Sequence, residues 1–398
     1  MSFDNTIEVT EGWAEDTRAV RGGLLRTGFH ETSEAVFLNS GFVYESAEAA
    51  ERAFTGEDER FVYSRYGNPS VATFQERLRL LEGTEACFAT ASGMSAVFTA
   101  LAALLGAGDR VVAARSLFGS CFVILNEILP RWGVETVFVD GPDLDQWREA
   151  LSTPTTAVFF ESPSNPMQEI VDIQAVADLA HAAGAQVVVD NVFATPLLQR
   201  SLDFGADVVV YSGTKHIDGQ GRVLGGAVLG TKEFIDGPVK NLMRHTGPAL
   251  SAFNAWVLTK GLETMGLRVR HSSANALAIA EWLEAQPQVR WVKYPHLRSH
   301  PQYELARKQM SAGGTVLTFE VAGGKEGAFH LLNGLQVIDI SNNLGDSKSL
   351  ITHPATTTHR AMGAEGRAAI GLGDGVVRLS VGLEDVGDLI GDLERALG

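Results

Sequence analysis

The sequence predicts an α/β fold, with a mostly parallel seven-stranded sheet followed by a smaller C-terminal α+β domain. Three observations carry that expectation. Between residues 67 and 230, short β-branched runs alternate with helical stretches, a repetition that gives right-handed crossovers and a sheet covered on both faces. Several runs are almost continuously apolar, as in Val-Val-Val-Asp (187–190) and Val-Val-Val-Tyr (208–211), which marks strands buried on both sides. Beyond residue 248 the alternation stops, and one long helical stretch leads into shorter strands and helices.

In chain order, residues 1–66 have little periodicity and end in the aromatic, polar run Tyr63-Ser64-Arg65-Tyr66-Gly67-Asn68-Pro69. A long irregular segment in a compact subunit needs a surface to lie on, so it is expected to reach a neighbouring subunit. The large domain is expected over 67–266 and the small one over 267–398. Strands are expected at 86–90, 110–115, 135–140, 156–161, 186–190, 207–211 and 227–230, and helices at 93–105, 118–131, 144–151 and 173–183. The seventh strand follows the sixth through a loop with no helix, which predicts an antiparallel pair. A long helix at 248–285, with Gly261 as a possible break, precedes strands at 289–294, 315–321 and 376–381 and helices at 327–335 and 386–397.

Composition narrows the function. The chain has 398 residues, 45% hydrophobic and 20% charged, with 32 basic against 48 acidic side chains and a net charge of −16. Those proportions exclude disorder, collagen and coiled coil. The acidic balance argues against a nucleic-acid partner. No 18-residue apolar span and no basic-then-apolar leader is present, so neither membrane association nor export is expected. Two cysteines, Cys87 and Cys121, 34 positions apart, make no disulfide framework or zinc motif and fit a cytoplasmic, reducing compartment. His353 and His359 are six apart, and no metal-binding spacing occurs, so no metal is expected.

In an open parallel sheet, ligands bind beyond the carboxyl ends of the strands. After the first strand comes Thr90-Ala91-Ser92-Gly93-Met94, either an anion site at a helix start or an N-cap with tight packing. After the fourth comes Glu161-Ser162-Pro163-Ser164-Asn165-Pro166, a proline-stiffened loop that holds Asn165 at the sheet edge or is simply a turn. The fifth ends in Asp190, a charge on an apolar strand, which needs a cation or donor if buried and could otherwise cap a helix. The sixth ends in Tyr211-Ser212-Gly213-Thr214-Lys215-His216, whose lysine reaches solvent or the site. Asp190 and Lys215 are one crossover apart, so both can share a rim with Ser92, Gly93 and Asn165. An anion cradle, a buried acid, an amine and hydroxyls are what pyridoxal 5'-phosphate requires. Donors hold its phosphate, a lysine meets its aldehyde, and a carboxylate keeps its ring nitrogen protonated. Gly371-Leu372-Gly373 lacks the third glycine of a dinucleotide fingerprint.

Taken together, YSRYGNPS (63–70), ATASGM (89–94), ESPSNP (161–166), VVVDNVFATP (187–196), YSGTKHIDGQ (211–220), NLGDSKSLITHPATTTH (343–359) and VRLSVGLED (377–385) resemble the Cys/Met-metabolism family of pyridoxal-phosphate enzymes. The resemblance runs from about residue 21 to the C-terminus. It implies the type I, aspartate-aminotransferase-like fold of pyridoxal-phosphate transferases. Within the family the motifs look most like the homoserine-ester sulfhydrylases, those acting on the succinyl ester first. That implies γ-replacement, with O-succinylhomoserine and sulfide as substrates and homocysteine as product. It also implies roles: Lys215 for covalent cofactor attachment and proton transfer, Asp190 for the pyridine nitrogen, Gly93, Met94, Ser212 and Thr214 for the phosphate. Tyr63 and Arg65 are implied at the phosphate of a neighbouring subunit. Arg378 is implied at the substrate α-carboxylate, helped by backbone near Asn343, with Asn165 near the cofactor hydroxyl or that carboxylate. A homotetramer built from dimers is implied as well.

One departure stands out. Where many members carry a tyrosine over the cofactor ring, this chain has Leu117-Phe118-Gly119-Ser120. Phe118 can stack but has no hydroxyl to move a proton, which weakens a γ-lyase reading. Cystathionine γ-synthase chemistry, with cysteine as the acceptor, and O-acetylhomoserine as the ester remain alternatives, and a non-catalytic binding relative is the reading from a different class.

Overall fold

The computed structural model describes residues 12–398; the first eleven residues of the expected N-terminal segment lie outside it. Seven strands form the main sheet: β1 (Ala86–Thr90), β2 (Arg110–Ala114), β3 (Glu135–Val139), β4 (Ala157–Glu161), β5 (Gln186–Asp190), β6 (Val208–Ser212) and β7 (Gly226–Gly230). Their spatial order is β1-β7-β6-β5-β4-β2-β3. β7 runs antiparallel to both β1 and β6, and every other neighbouring pair is parallel. Six strands therefore point the same way, and their carboxyl ends share one edge.

Period-two alternation divides the side chains between two cores. Val187 and Val189 face the layer that holds Phe74, Leu78 and Trp147. Val188, Val208 and Val210 face the layer that holds Ala96, Leu101 and Leu125. All of these are 0–2% exposed, and each buried aliphatic or aromatic side chain contributes about 1.5–3 kcal/mol. The helix Pro69–Glu82 covers the first layer. Asn68 caps it by accepting the Ser70 N–H, Pro69 opens it, and Gly83 ends it at φ 84°, all three being ordinary terminus signals. Residues 12–66 also contain two short helices, Glu15–Arg21 and Ala47–Thr55.

Two expectations need correction. The helix expected over 118–131 is broken into an α turn at Gly119–Val123, a π-helical turn at Ile124–Ile128 and a 3₁₀ turn at Leu129–Trp132. Pro130 lacks the N–H that regular winding needs, and Gly133 ends the stretch at φ 79°. Gly261 breaks nothing: one continuous helix runs from Ala252 to Glu284. The glycine is required by packing, because a Cβ there would lie 2.1 Å from the Ile217 carbonyl oxygen.

That 33-residue helix spans the expected boundary at 266/267 and carries the chain to a second sheet. Here β8 (Val289–Lys293), β9 (Val316–Val321), β10 (Asp339–Ile340), β11 (Leu350–Thr352) and β12 (Val376–Ser380) are ordered β10-β11-β12-β9-β8. β10 and β11, too short to show alternation, have no counterpart among the expected strands. Helices Gly324–Gly334 and Val386–Leu397 close a third apolar cluster over this sheet. No helix among the described residues is long and apolar enough to cross a membrane. Cys87 and Cys121 are separate buried thiols.

Candidate active site

A pocket opens at the carboxyl edge of the main sheet, where β12 of the second sheet faces it. At the end of β1, Ser92 takes the N-cap of helix Gly93–Leu104, its hydroxyl accepting the Ser95 N–H at 3.2 Å. The N–H groups of Gly93 and Met94 have no acceptor within that helix, and both residues line the pocket, which leaves donors available for an anion. Only glycine fits at 93: a Cβ there would lie 2.5 Å from the Ser212 Cβ. The helix start can thus sit directly against the end of β6, where Ser212 and Thr214 add hydroxyls to the same wall.

The loop after β6 carries Lys215, whose Nζ donates to Asn343 Oδ1 at 2.6 Å. Burial first, and then the charge of Arg378, lower the lysine pKa to about 8. Asp190 ends β5. Its carboxylate accepts the Val192 N–H at 3.1 Å, and no cationic side chain pairs with it among the described residues. The residue is partly accessible from the pocket, yet protein surrounds the carboxyl itself, and this desolvation pushes its pKa up.

Arg378, on β12, is 1% exposed and has no carboxylate partner. Nη1 donates to Asn165 Oδ1 at 3.0 Å, and Nη2 donates to the carbonyls of Asn342 at 2.8 Å and Asn343 at 3.3 Å. Nε has no partner. A buried guanidinium costs several kcal/mol to desolvate when no anion compensates it, and here burial lowers its pKa to about 10. The vacant donor and unbalanced charge suit an incoming carboxylate.

The sequence-derived residues Gly93, Met94, Phe118, Asn165, Asp190, Ser212, Thr214, Lys215 and Arg378 line this one pocket, and Asn343 joins it through Lys215. Tyr63 and Arg65 do not. Tyr63 is 42% exposed, and the Arg65 guanidinium stacks over the rings of Tyr63 and Tyr66 and donates to the Arg244 carbonyl. Sequence reasoning missed Glu161, 5% exposed at the end of β4 and opposite Asp190 in the strand register. The signal was the one that singled out Asp190, an acid closing an apolar strand, here Ala-Val-Phe-Phe-Glu. It also missed Cys121 and Thr358 on the pocket wall, and His359 behind them, whose Nε2–H donates to the Asn165 carbonyl at 3.2 Å.

The donor set fits pyridoxal phosphate on three counts. A helix N-terminus with two hydroxyls offers a phosphate cradle, an acid lacks a cation, and a lysine amine is held near neutrality. The described residues contain one three-membered cluster of metal-ligand type, Cys121, Glu161 and Asp190, and it forms part of this same pocket.

Comparison with known proteins agrees with that fit. The sequence model of the family "Cys/Met metabolism PLP-dependent enzyme" matches residues 16–398. The chain is 70% identical to the O-succinylhomoserine sulfhydrylase of Mycobacterium tuberculosis, over 97% of this chain and 96% of the relative. It is 49% identical to the O-succinylhomoserine sulfhydrylase of Pseudomonas aeruginosa, with coverage of 97% and 96%. The crystal structure of a cystathionine γ-synthase from Xanthomonas oryzae pv. oryzae superposes with a TM-score of 0.92 at 34% identity, covering 97% of this chain and 98% of that one.

Proposed function

The chain belongs to the Cys/Met-metabolism pyridoxal-phosphate-dependent enzymes, and on that premise we propose that it converts O-succinyl-L-homoserine and hydrogen sulfide to L-homocysteine and succinate, a γ-replacement that serves methionine biosynthesis. The observation that carries the reading is the pairing, across one pocket, of the near-neutral Lys215 amine with the anion-free Arg378 guanidinium. The 70% identity to a sulfhydrylase of that substrate supports the choice of ester and acceptor.

Bound pyridoxal phosphate supplies an aldehyde for covalent attachment and a heterocycle that accepts electrons released at the substrate. The N–H groups of Gly93 and Met94, with Ser212 and Thr214, hold the phosphate. Asp190 would accept from the ring nitrogen, and Phe118 would form one wall against the ring. Arg378 grips the substrate α-carboxylate, and Asn165, tied to its Nη1, fixes the angle of the guanidinium. The Lys215 amine, released when the substrate amine takes its place, would remove the α-proton and return protons along one side of the amino acid, a task suited to an amine with a pKa near the working pH. Phe118 has no hydroxyl to share that task.

The remaining piece of the proposal is assembly. Phe29, Leu38, Val43 and Phe54 in the N-terminal segment are 94%, 71%, 89% and 67% exposed, apolar side chains that a second copy would cover. The segment lies against a second copy, and Tyr63 and Arg65 reach that copy's phosphate site, in a tetramer built from dimers.

The Lys215→Ala protein tests the chemistry. It is expected to lose homocysteine formation and the cofactor adduct in the intact mass of the borohydride-reduced protein; retention of either result refutes the lysine assignment. Steady-state rates with the succinyl and acetyl esters, each with sulfide and with cysteine, test the substrate pair. Preference for cysteine would instead make the protein a cystathionine γ-synthase.

A further inference from the structure

We infer that Glu161 is a positioning residue whose single carboxylate holds the Phe118 and Asn165 loops together and sets a second negative charge behind Asp190, keeping the bound heterocycle protonated. The inference rests on the roles proposed above for Phe118, Asn165 and Asp190 and adds to them.

Glu161 Oε1 accepts the Phe118 N–H at 2.7 Å, and Oε2 accepts the Asn165 N–H at 3.1 Å. The two donors come from different loops, 47 positions apart in the chain, one after β2 and one after β4. Because Asn165 also meets Arg378, one carboxylate ties the aromatic wall of the cofactor pocket to the grip on the substrate. Glu161 stands opposite Asp190 on the adjacent parallel strand. Ligand atoms of Glu161, Asp190 and Cys121 lie within 4.8 Å of one another. Two acids this close and this buried repel each other. Desolvation first and the Asp190 charge second push the Glu161 pKa up.

The geometry nevertheless calls for the ionised form. Each oxygen accepts from a backbone N–H, and such bonds strengthen with negative charge on the acceptor, which favours the carboxylate. The other groups nearby are Cys121, whose burial holds its thiol protonated, and His359, which burial keeps neutral with a pKa near 4. Lys215 and Arg378 line the same pocket, and Arg378 reaches Glu161 only through Asn165. Among the described residues, no cationic side chain touches the pair of acids. A cationic ring bound at Asp190 would balance both.

The test uses the holoprotein and two variants. E161Q keeps the shape but removes the charge and turns an amide donor toward one of the two N–H groups. E161D keeps the charge on a shorter stem. The readouts are the pH midpoint of the cofactor's visible absorbance and the cofactor dissociation constant measured by fluorescence on the apoprotein. For E161Q we expect the midpoint to fall by about one pH unit or more, as loss of a buried anion on the far side of Asp190 from a cation predicts, and the dissociation constant to rise about tenfold. E161D should keep the midpoint within a few tenths of a unit and raise KM for the amino acid more than it lowers kcat. An unshifted midpoint in folded E161Q overturns the inference. So does an E161D midpoint that falls by a full unit, and this second result can be read even if E161Q does not fold. Absence of a visible band from the parent protein would instead sink the cofactor assignment itself.

Discussion

At the scale of single residues, the site is defined by charges that lack their usual partners. Arg378 is buried with a free Nε and only amide and carbonyl acceptors. Its replacement by lysine keeps the charge but loses the planar fork, so KM for the amino-acid substrate should rise on the order of tenfold to a hundredfold with a smaller change in kcat, read from initial rates. Outside the pocket, Glu82 is fully buried, accepts from the Tyr211 hydroxyl and leaves Oε1 unpartnered. Burial raises its pKa to about 7. Its folded-state pKa therefore exceeds the unfolded value, and ionisation costs stability as pH rises from about 4.5 through 7. Glu82→Gln keeps an acceptor for Tyr211 and escapes that cost. Relative to the parent it should gain up to about 3 kcal/mol between pH 4.5 and pH 7.5, visible as a denaturation midpoint that improves against the parent as pH rises. A constant difference across that range would show that Glu82 does not titrate there.

At the scale of elements, close approach of backbones decides what the helices do. Helix Ala252–Glu284 presses Gly261 against the Ile217 carbonyl in the loop that carries Lys215, and Arg268 donates from the same helix to the His216 and Ile217 carbonyls. Alanine is the better helix former by about 1 kcal/mol. Gly261→Ala should still destabilise by about 2 kcal/mol or more, because backbone must move to admit the methyl group. A lower thermal midpoint together with weaker cofactor retention is the expected result; a stabilised variant would mean that the loop yields freely. Helix Gly93–Leu104 makes a comparable contact at its first residue, where Gly93 lets the N–H groups stand beside Ser212.

At the scale of the whole molecule, the pocket is built by two sheets joined through one long helix, and the proposed assembly adds a second copy. Mixing inactive Lys215→Ala with an Arg65→Ala variant tests that assembly. If Arg65 serves its neighbour, a hybrid pair contains one intact site, made from Lys215 of one chain and Arg65 of the other. Random exchange of equal amounts should then restore roughly a quarter of parental activity above the sum of the separate variants. If Arg65 serves its own chain, mixing restores nothing.

The sequence by itself determined the alternation of strands and helices, the antiparallel seventh strand and the rim on which Asp190 and Lys215 meet. All three follow from local periodicity and from the rule that co-directional strands end at one edge. It also contained the signal for Glu161, in the same form that revealed Asp190, but a single acid at a strand end has no meaning until its neighbour is known. Tertiary structure alone decided that Gly261 is a packing contact and not a break, that β10 and β11 extend the second sheet, and that Glu161 spans two loops. It alone decided, too, that Tyr63 and Arg65 are not among the residues lining their own chain's pocket. Periodicity along a chain records which side of an element is buried; which atoms meet across a gap of 47 or 128 positions depends on how the elements close on one another.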